Sequence, residues 1–305
     1  MYVDMSSLIT LETPGRLMSV RCPWNRNSLL AGGHTSLFRD RGLDFEELRH
    51  YQPGDDLRYI DRRATARTGQ PFVRSFLEER DRPTIVVCDQ RMNMFFGSCL
   101  NFKSYTAAEL GALLGWSAFH SGDRVGVMVF NDQRIDTVAP HRSRQRLQQC
   151  LATIHRQNRE LHAERGVSGA VDFDQLLARC LNSAPHDHTI YLVSDFMGIS
   201  DKGEETTTLR RIRRLARHND VLAFQVYDPI ALNLPTYGRV TLMEGEQQIS
   251  LDLGRRRMRE PISEYLKQRL EGVQAVMRRN RIPVLPVSAG EATVDQYLRG
   301  FGGKL

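Results

Sequence analysis

Asp89 and Asp195 are the first residues in this chain whose setting suggests chemistry. Each closes a short apolar run, Thr84-Ile-Val-Val-Cys88 and Thr189-Ile-Tyr-Leu-Val-Ser194. Both runs are continuous and β-branched, the pattern of strands buried on both faces of a parallel sheet. Ligands of open parallel sheets gather beyond the carboxyl ends of the strands. Two carboxylates converging there could hold a hard divalent cation through oxygen. They could equally cap turns by accepting backbone N–H bonds.

A second constellation lies upstream. Asp55, Asp56, Arg58, Asp61, Arg62, Arg63 and Arg67 crowd both signs of charge into a short stretch that opens with the turn Pro53-Gly54-Asp55-Asp56. Pro and Gly supply the backbone angles that turn requires. The stretch reads as a docking surface, as a clasp onto the sheet, or as a turn held by its own ion pairs. Adjacent carboxylates can do acid–base work. No nucleophile elbow or Walker-type phosphate loop accompanies them, however.

The remaining reactive residues show no ligand spacing. Cys22, Cys88, Cys99, Cys150 and Cys180 are scattered and odd in number, with no C-x-x-C pair, and read as reduced core thiols. His186 and His188 flank Asp187 ahead of a strand, the pattern of a solvated loop more than of a metal site. The net charge of +6 comes largely from Arg210 to Arg217 and Arg255 to Arg281. Basic helices can contact phosphates, or can face solvent or an acidic partner. No aromatic platform interleaves with the arginines, so nucleic acid is the lesser reading.

The elements that must position these residues are legible from residue 83 on. Lys103 to Ser121 shows helical spacing of Leu110, Leu113, Leu114 and Ala118 and ends at Gly122-Asp123. Strands are expected at 124–130, 134–138, 189–194, 221–227 and 283–287. Helices are expected from the Ser143 cap to about His155, and over 174–181, 209–218, 262–279 and 292–298. A hairpin over 239–253 turns at Gly245. Strands separated by helices imply crossover connections and a mainly parallel, doubly wound α/β sheet with helices on both faces. Residues 1–82 lack this alternation and read as a separate irregular or β-rich segment packing on an α/β domain of residues 83–305. The longest apolar runs are strand-sized and the first twenty residues lack a signal-peptide core, so a cytoplasmic address without membrane insertion is expected.

Asp89, then Gly122-Asp-Arg-Val-Gly-Val-Met-Val-Phe130, then Val193-Ser-Asp195, resembles the von Willebrand A fold. Further motifs are Arg49-His-Tyr-Gln-Pro-Gly-Asp-Asp-Leu-Arg58, Ile60-Asp61, Ala66-Arg67, Phe72-Val-Arg74 and Glu78-Glu79. With Gly42-Leu-Asp-Phe-Glu46 and Met94-Phe-Phe-Gly97 they identify the chain as similar to the "domain of unknown function 58" family over roughly residues 30–230. Members are von Willebrand A-like proteins typically encoded beside MoxR-type AAA+ ATPases. The resemblance implies a metal motif Asp-x-Ser-x-Ser, a Thr from a later loop and an Asp after a central strand. Here the first motif reads Asp89-Gln-Arg91-Met-Asn93, and Val171 falls where the Thr is expected, with Ser168 nearby. The implied ligands are Asp89, Asn93 and Asp195, for Mg²⁺ or Mn²⁺. A guanidinium cannot ligate a cation, so Arg91 would instead pair with the carboxylates directly. That ion-pair cluster, with no cofactor, is the preferred reading. Where the family carries Trp after Ile-Asp, this chain has Arg62.

The function implied is that of a non-enzymatic adaptor for a MoxR-type ATPase acting on a client protein. Partner contacts are expected at Arg49, Tyr51, Pro53, Gly54, Asp55, Asp56, Arg58, Asp61, Arg67 and Arg91. The alternatives are a divalent-metal enzyme using Asp89 and Asp195, and a nucleic-acid binder using the basic helices.

Overall fold

The computed structural model describes residues 1–17, 43–52, 55, 57–78, 83–163, 169, 171–199, 206–236, 239–244, 247–252, 254 and 256–301. They fall into two units, Asn27–Asp81 and, together, Met1–Arg26 with Arg82–Leu305. Two short helices open the larger unit, α1 (Met5–Thr10) and α2 (Glu12–Leu17).

In the smaller unit, β1 (Leu43–His50) pairs antiparallel with β2 (Phe72–Glu78), its register shifting between Phe45 and Glu47. Between them lie a 3-10 turn, Leu57–Tyr59, and α3 (Arg62–Thr68). The Asp61 carboxylate caps α3 by accepting from the backbone N–H of Arg63 and Ala64 at 2.9 and 2.8 Å. Gly69, at φ 71°, ends the helix in the left-handed region that favours glycine. This segment is therefore part helix and part hairpin.

The larger unit is built on six strands: β3 (Pro83–Asp89), β4 (Arg124–Phe130), β5 (Ile135–His141), β6 (Thr189–Ser194), β7 (Asp220–Tyr227) and β10 (Val284–Ser288). Their order is β10-β7-β6-β3-β4-β5, parallel except for the β4–β5 pair. The strands alternate between two apolar layers because successive side chains point to opposite faces. Val86 and Cys88 join one core with α4 (Lys103–His120) and α5 (Arg144–Arg159), while Ile85 and Val87 join the other. That second layer holds α6 (Phe173–Ser183), α7 (Thr207–His218) and the end of α8 (Arg256–Arg279). The hairpin β8 (Arg239–Glu244) and β9 (Gln247–Asp252) stands apart from this sheet, and α9 (Thr293–Phe301) closes the chain. This is the mainly parallel α/β architecture that the spacing of strands and helices predicts, with the von Willebrand A-like character that the resemblance implies.

Three differences from the sequence reading have physical causes. First, residues 1–17 group with the sheet and not with the smaller unit. Val3 and Leu8 are fully buried, the Val3 N–H donates to Asn158 Oδ1 at 2.9 Å, and the Trp116 indole donates to the Leu8 carbonyl at 3.0 Å. A Cβ on Gly15 would stand 2.7 Å from Trp116 Cβ, so the second helix requires glycine there. Second, α8 begins at Arg256 and runs through Pro261. Its first turns are held by the Arg256–Glu260 ion pair and by Arg259 donating to the Thr236 carbonyl. Third, Cys99 is exposed, whereas Cys88, Cys150 and Cys180 are buried thiols pushed up to about 12 by desolvation. Cys22 and the Gly245 turn lie outside the described residues.

α4 is apolar on nearly every side because it is enclosed by the sheet, α5 and the N-terminal helices. No helix among the described residues is long and apolar enough to cross a membrane. If residues 1–17 complete the core, Leu8→Ala will cost about 2–5 kcal/mol in urea unfolding. A loosely attached tail would lose a few tenths at most.

Candidate functional site at the carboxyl edge of the sheet

The chain leaves β3 toward β4 on one side, and β6 adds on the other side of β3. The strand order therefore reverses between β3 and β6, and the crevice beyond their carboxyl ends is the position where such sheets collect ligands. Asp89 ends β3, and Ser194 ends β6 with Asp195 following it.

Asp89 is fully buried, and its carboxylate is saturated from within the chain. Arg91 Nη2 donates to Oδ2 at 2.8 Å, Arg91 Nε to Oδ1 at 3.1 Å, and the Arg91 backbone N–H to Oδ1 at 3.0 Å. The Ser194 hydroxyl donates to Oδ2 at 2.6 Å and accepts from the Phe196 N–H at 2.8 Å. Arg91 then reaches across the crevice, where Nη1 and Nη2 donate to the Met197 carbonyl at 3.3 and 3.2 Å. Its guanidinium packs 5.0 and 5.8 Å from the ring centroids of Phe130 and Phe173. Burial alone would lower the pKa of Arg91, but the Asp89 charge and its hydrogen bonds, with Asp195 and Asp132 behind them, raise it.

Asp195 has a cation of its own. Lys103 Nζ, at the first position of α4, pairs with Oδ2 at 2.6 Å. Asn93 Nδ2 and the Met197 N–H donate to Oδ1 at 2.7 and 2.8 Å. Desolvation would raise the Asp195 pKa, but the Lys103 charge and hydrogen bond, the Met197 N–H and the Arg91 charge hold it below the usual carboxylate value. Asp132 completes the edge, its carboxylate accepting from the Met92 N–H at 2.8 Å.

A divalent cation does not fit this arrangement. The oxygens it would need are already accepting hydrogen bonds, two guanidinium nitrogens face Asp89, and Asn93 turns its NH₂ group toward Asp195. Two side-chain cations neutralise the carboxylates in its place. Val171 lies beside the edge, its N–H donating to the Asp132 carbonyl at 3.1 Å. Ser168 lies outside the described residues.

Above these pairs the loop after β3 runs across the edge. The Ser98 N–H donates to Asp228 Oδ2 at 2.7 Å beyond β7, and the Asn101 N–H to the Ala289 carbonyl at 3.0 Å beyond β10. Gly97 is needed in this path, because a Cβ there would collide with the Asn101 backbone. Phe96, Leu100 and Met197 are left exposed on the two loops.

The other sequence-predicted residues belong to the smaller unit. The Asp55 N–H donates to the Gln52 carbonyl at 3.0 Å, and Asp55 Oδ2 accepts from the Gln52 N–H at 2.8 Å. Pro53, Gly54 and Asp56 themselves lie outside the described residues, as does the Arg49 side chain. The Tyr51 N–H donates to the Pro71 carbonyl at 2.9 Å, Arg58 and Arg67 are exposed, and Asp61 serves as the cap of α3. Arg91 alone of the ten expected partner-contact residues lies in the larger unit.

Sequence reasoning missed Lys103 and Ser194 as members of the site. Lys103 carried a signal: a cation at the first position of a helix opposes the macrodipole and calls for a nearby anion.

The low pKa of Asp195 makes a testable statement about stability. A depressed carboxylate pKa contributes stability above its unfolded value of about 4, and that stability is lost as pH falls through the folded value. Lys103→Met leaves burial unopposed by that charge and is expected to cost about 3 kcal/mol at pH 7. The gap from wild type should begin to close as the pH falls through the raised Asp195 pKa of the variant and be gone below the depressed wild-type value, read from urea midpoints across pH. A gap independent of pH would mean that Lys103 acts through packing alone.

The fold and this edge define a von Willebrand A-like domain whose top carboxylates are neutralised by its own side chains. Residues 47–271 match the family described as Protein of unknown function DUF58, and the chain belongs to that family. It is 30% identical over 224 residues to Uncharacterized protein Rv1480 of Mycobacterium tuberculosis, covering 73% of this chain and 67% of that protein. Uncharacterized protein Mb1516 of Mycobacterium bovis matches with the same identity and coverage.

Proposed function

We propose that this chain is a non-enzymatic interaction adaptor that works with a MoxR-type AAA+ ATPase on a client protein, using no metal. The observation that carries the reading is the saturation of Asp89 by Arg91 and Ser194. A general base or metal ligand needs an open oxygen, and the carboxylate at the strand-order reversal has been committed to tying two loops together. What the edge presents outward is a surface: Phe96 and Leu100 on one loop and Met197 on the other, each exposed. Apolar side chains on a braced edge suit protein docking better than turnover. Arg91, shielded and fully engaged, positions that surface and does not receive a partner carboxylate itself.

The test is recovery of a MoxR-type AAA+ ATPase from the native host, with nucleotide present, on immobilised wild type, on Leu100→Asp/Met197→Asp, and on Asp55→Ala/Asp56→Ala/Arg58→Ala. Recovery by wild type and loss with Leu100→Asp/Met197→Asp supports docking at the carboxyl edge. Loss only with the second variant moves the surface to the Pro-Gly-Asp-Asp turn. Failure of wild type to retain the ATPase overturns the adaptor reading.

A further inference from the structure

We infer that the exposed face of α7 is a docking strip for an acidic segment of a protein partner. The helix reads TTLRRIRRLARH, with five arginines and no acidic residue. Its inner face, Ile212, Leu215 and Ala216, is buried in the core and meets the packing requirement by itself. Arg210, Arg213, Arg214 and Arg217 are exposed and follow the i, i+3, i+4, i+7 spacing that places side chains on one helical face.

The strip is costly to the free helix. Like charges three and four residues apart repel, and Arg210 stands in the first turn, where the macrodipole disfavours a cation. Arg213 is engaged within the chain, but among the described residues internal partners take up little of the charge of the strip's other arginines. Arg211 is drawn to the Asp174 carboxylate on α6, and Arg210 Nη2 reaches only the Thr207 hydroxyl at 3.2 Å. Among the described residues neither Arg214 nor Arg217 has a hydrogen-bond or ion-pair partner. The macrodipole accounts for a cation at Arg217, in the last turn, but for neither Arg210 nor Arg214. A row of carboxylates laid along the helix would relieve the repulsion.

Shape and chemistry select the occupant. Seven residues of helix advance roughly 10 Å, the length of about three residues of extended chain. Guanidinium groups form bidentate bonds with carboxylates. α7 carries no Phe, Tyr or Trp on which bases could stack. Its apolar side chains face the core, which leaves none to enter a bilayer. An acidic polypeptide therefore fits better than single-stranded RNA or an anionic membrane. The inference does not depend on the ATPase reading, because it concerns another face of the domain.

The experiment uses the full chain and a labelled peptide containing eight consecutive glutamates, followed by fluorescence anisotropy at low and moderate salt. Two variants are compared: Arg210→Ala/Arg214→Ala/Arg217→Ala, and Arg257→Ala/Lys267→Ala/Arg278→Ala, which removes the same charge from exposed positions of α8. Thermal melts establish that both remain folded. The expected result is salt-sensitive binding by wild type, about tenfold weaker in the α7 variant and nearly unchanged in the α8 variant. Equal weakening in both variants, or no binding by wild type at low salt, overturns the proposal. So does a single-stranded RNA of equal charge, or a phosphatidylserine vesicle, binding more tightly than the peptide through the same arginines.

Discussion

Arg91→Met is expected to remove about 3–5 kcal/mol of folding stability, because it leaves a buried carboxylate without its counter-charge. Asp89 has no exposed surface, and its remaining donors are the Ser194 hydroxyl and the Arg91 backbone N–H. Methionine can replace much of the packing against Phe130 and Phe173 but neither the charge nor the bonds to the Met197 carbonyl. The loop after β6 should therefore open as well, seen as faster amide exchange around Met197 than in β6. Asp89→Asn combined with Arg91→Met should recover a large part of the loss, since removing both members of a buried pair costs less than removing one. Urea unfolding of the three proteins measures this. If Arg91→Met loses less than about 1 kcal/mol, the pair is not the clasp that its geometry implies.

Much of this site was legible before the fold was known. Continuous β-branched runs located β3 and β6, and the rule for parallel sheets placed Asp89 and Asp195 at one edge. Arg91 follows Asp89 by two residues, close enough for local geometry to dictate the pairing. Lys103 was not legible in the same way. It lies 92 residues from Asp195, and only the crossover of α4 onto the sheet brings the two together. Ser194 stood in the Val-Ser-Asp motif, but a serine has many local uses and its spacing names none of them. The N-terminal helices escaped notice for another reason. Six residues are too few to show a helical period, and helices that short persist only when tertiary contacts hold them. Here the contacts are Trp116 and Asn158, both more than a hundred residues away. Pro261 misled in the opposite direction: local preference ends a helix before proline, whereas α8 starts at Arg256 and continues through it.

The neutralising roles of Arg91 and Lys103 lead to the second large effect, which runs in the direction of gain. Arg91→Ser combined with Lys103→Gln removes both cations and leaves Asp89 and Asp195 facing one crevice with the Ser194 hydroxyl and a new hydroxyl between them. Two partly desolvated carboxylates without a counter-ion either take up a proton or recruit a cation, and oxygen donors of this kind suit Mg²⁺ or Mn²⁺. The double variant should be less stable than wild type in chelator and should recover as the ion is added. The recovery reaches about 2.7 kcal/mol at an ion concentration one hundred times the dissociation constant. Wild type should show no such response, because its own side chains hold the positions that an ion would take. Thermal melts across an Mg²⁺ series, with Ca²⁺ and added NaCl as controls for charge screening, distinguish specific occupancy from ionic strength. A wild-type protein that gains stability from Mg²⁺ alone would show that the Arg91 pair gives way to an ion, and the edge would then have to be treated as a working metal site. A double variant that folds yet ignores every divalent ion would place the incompatibility in the backbone of the crevice and not in the two cations.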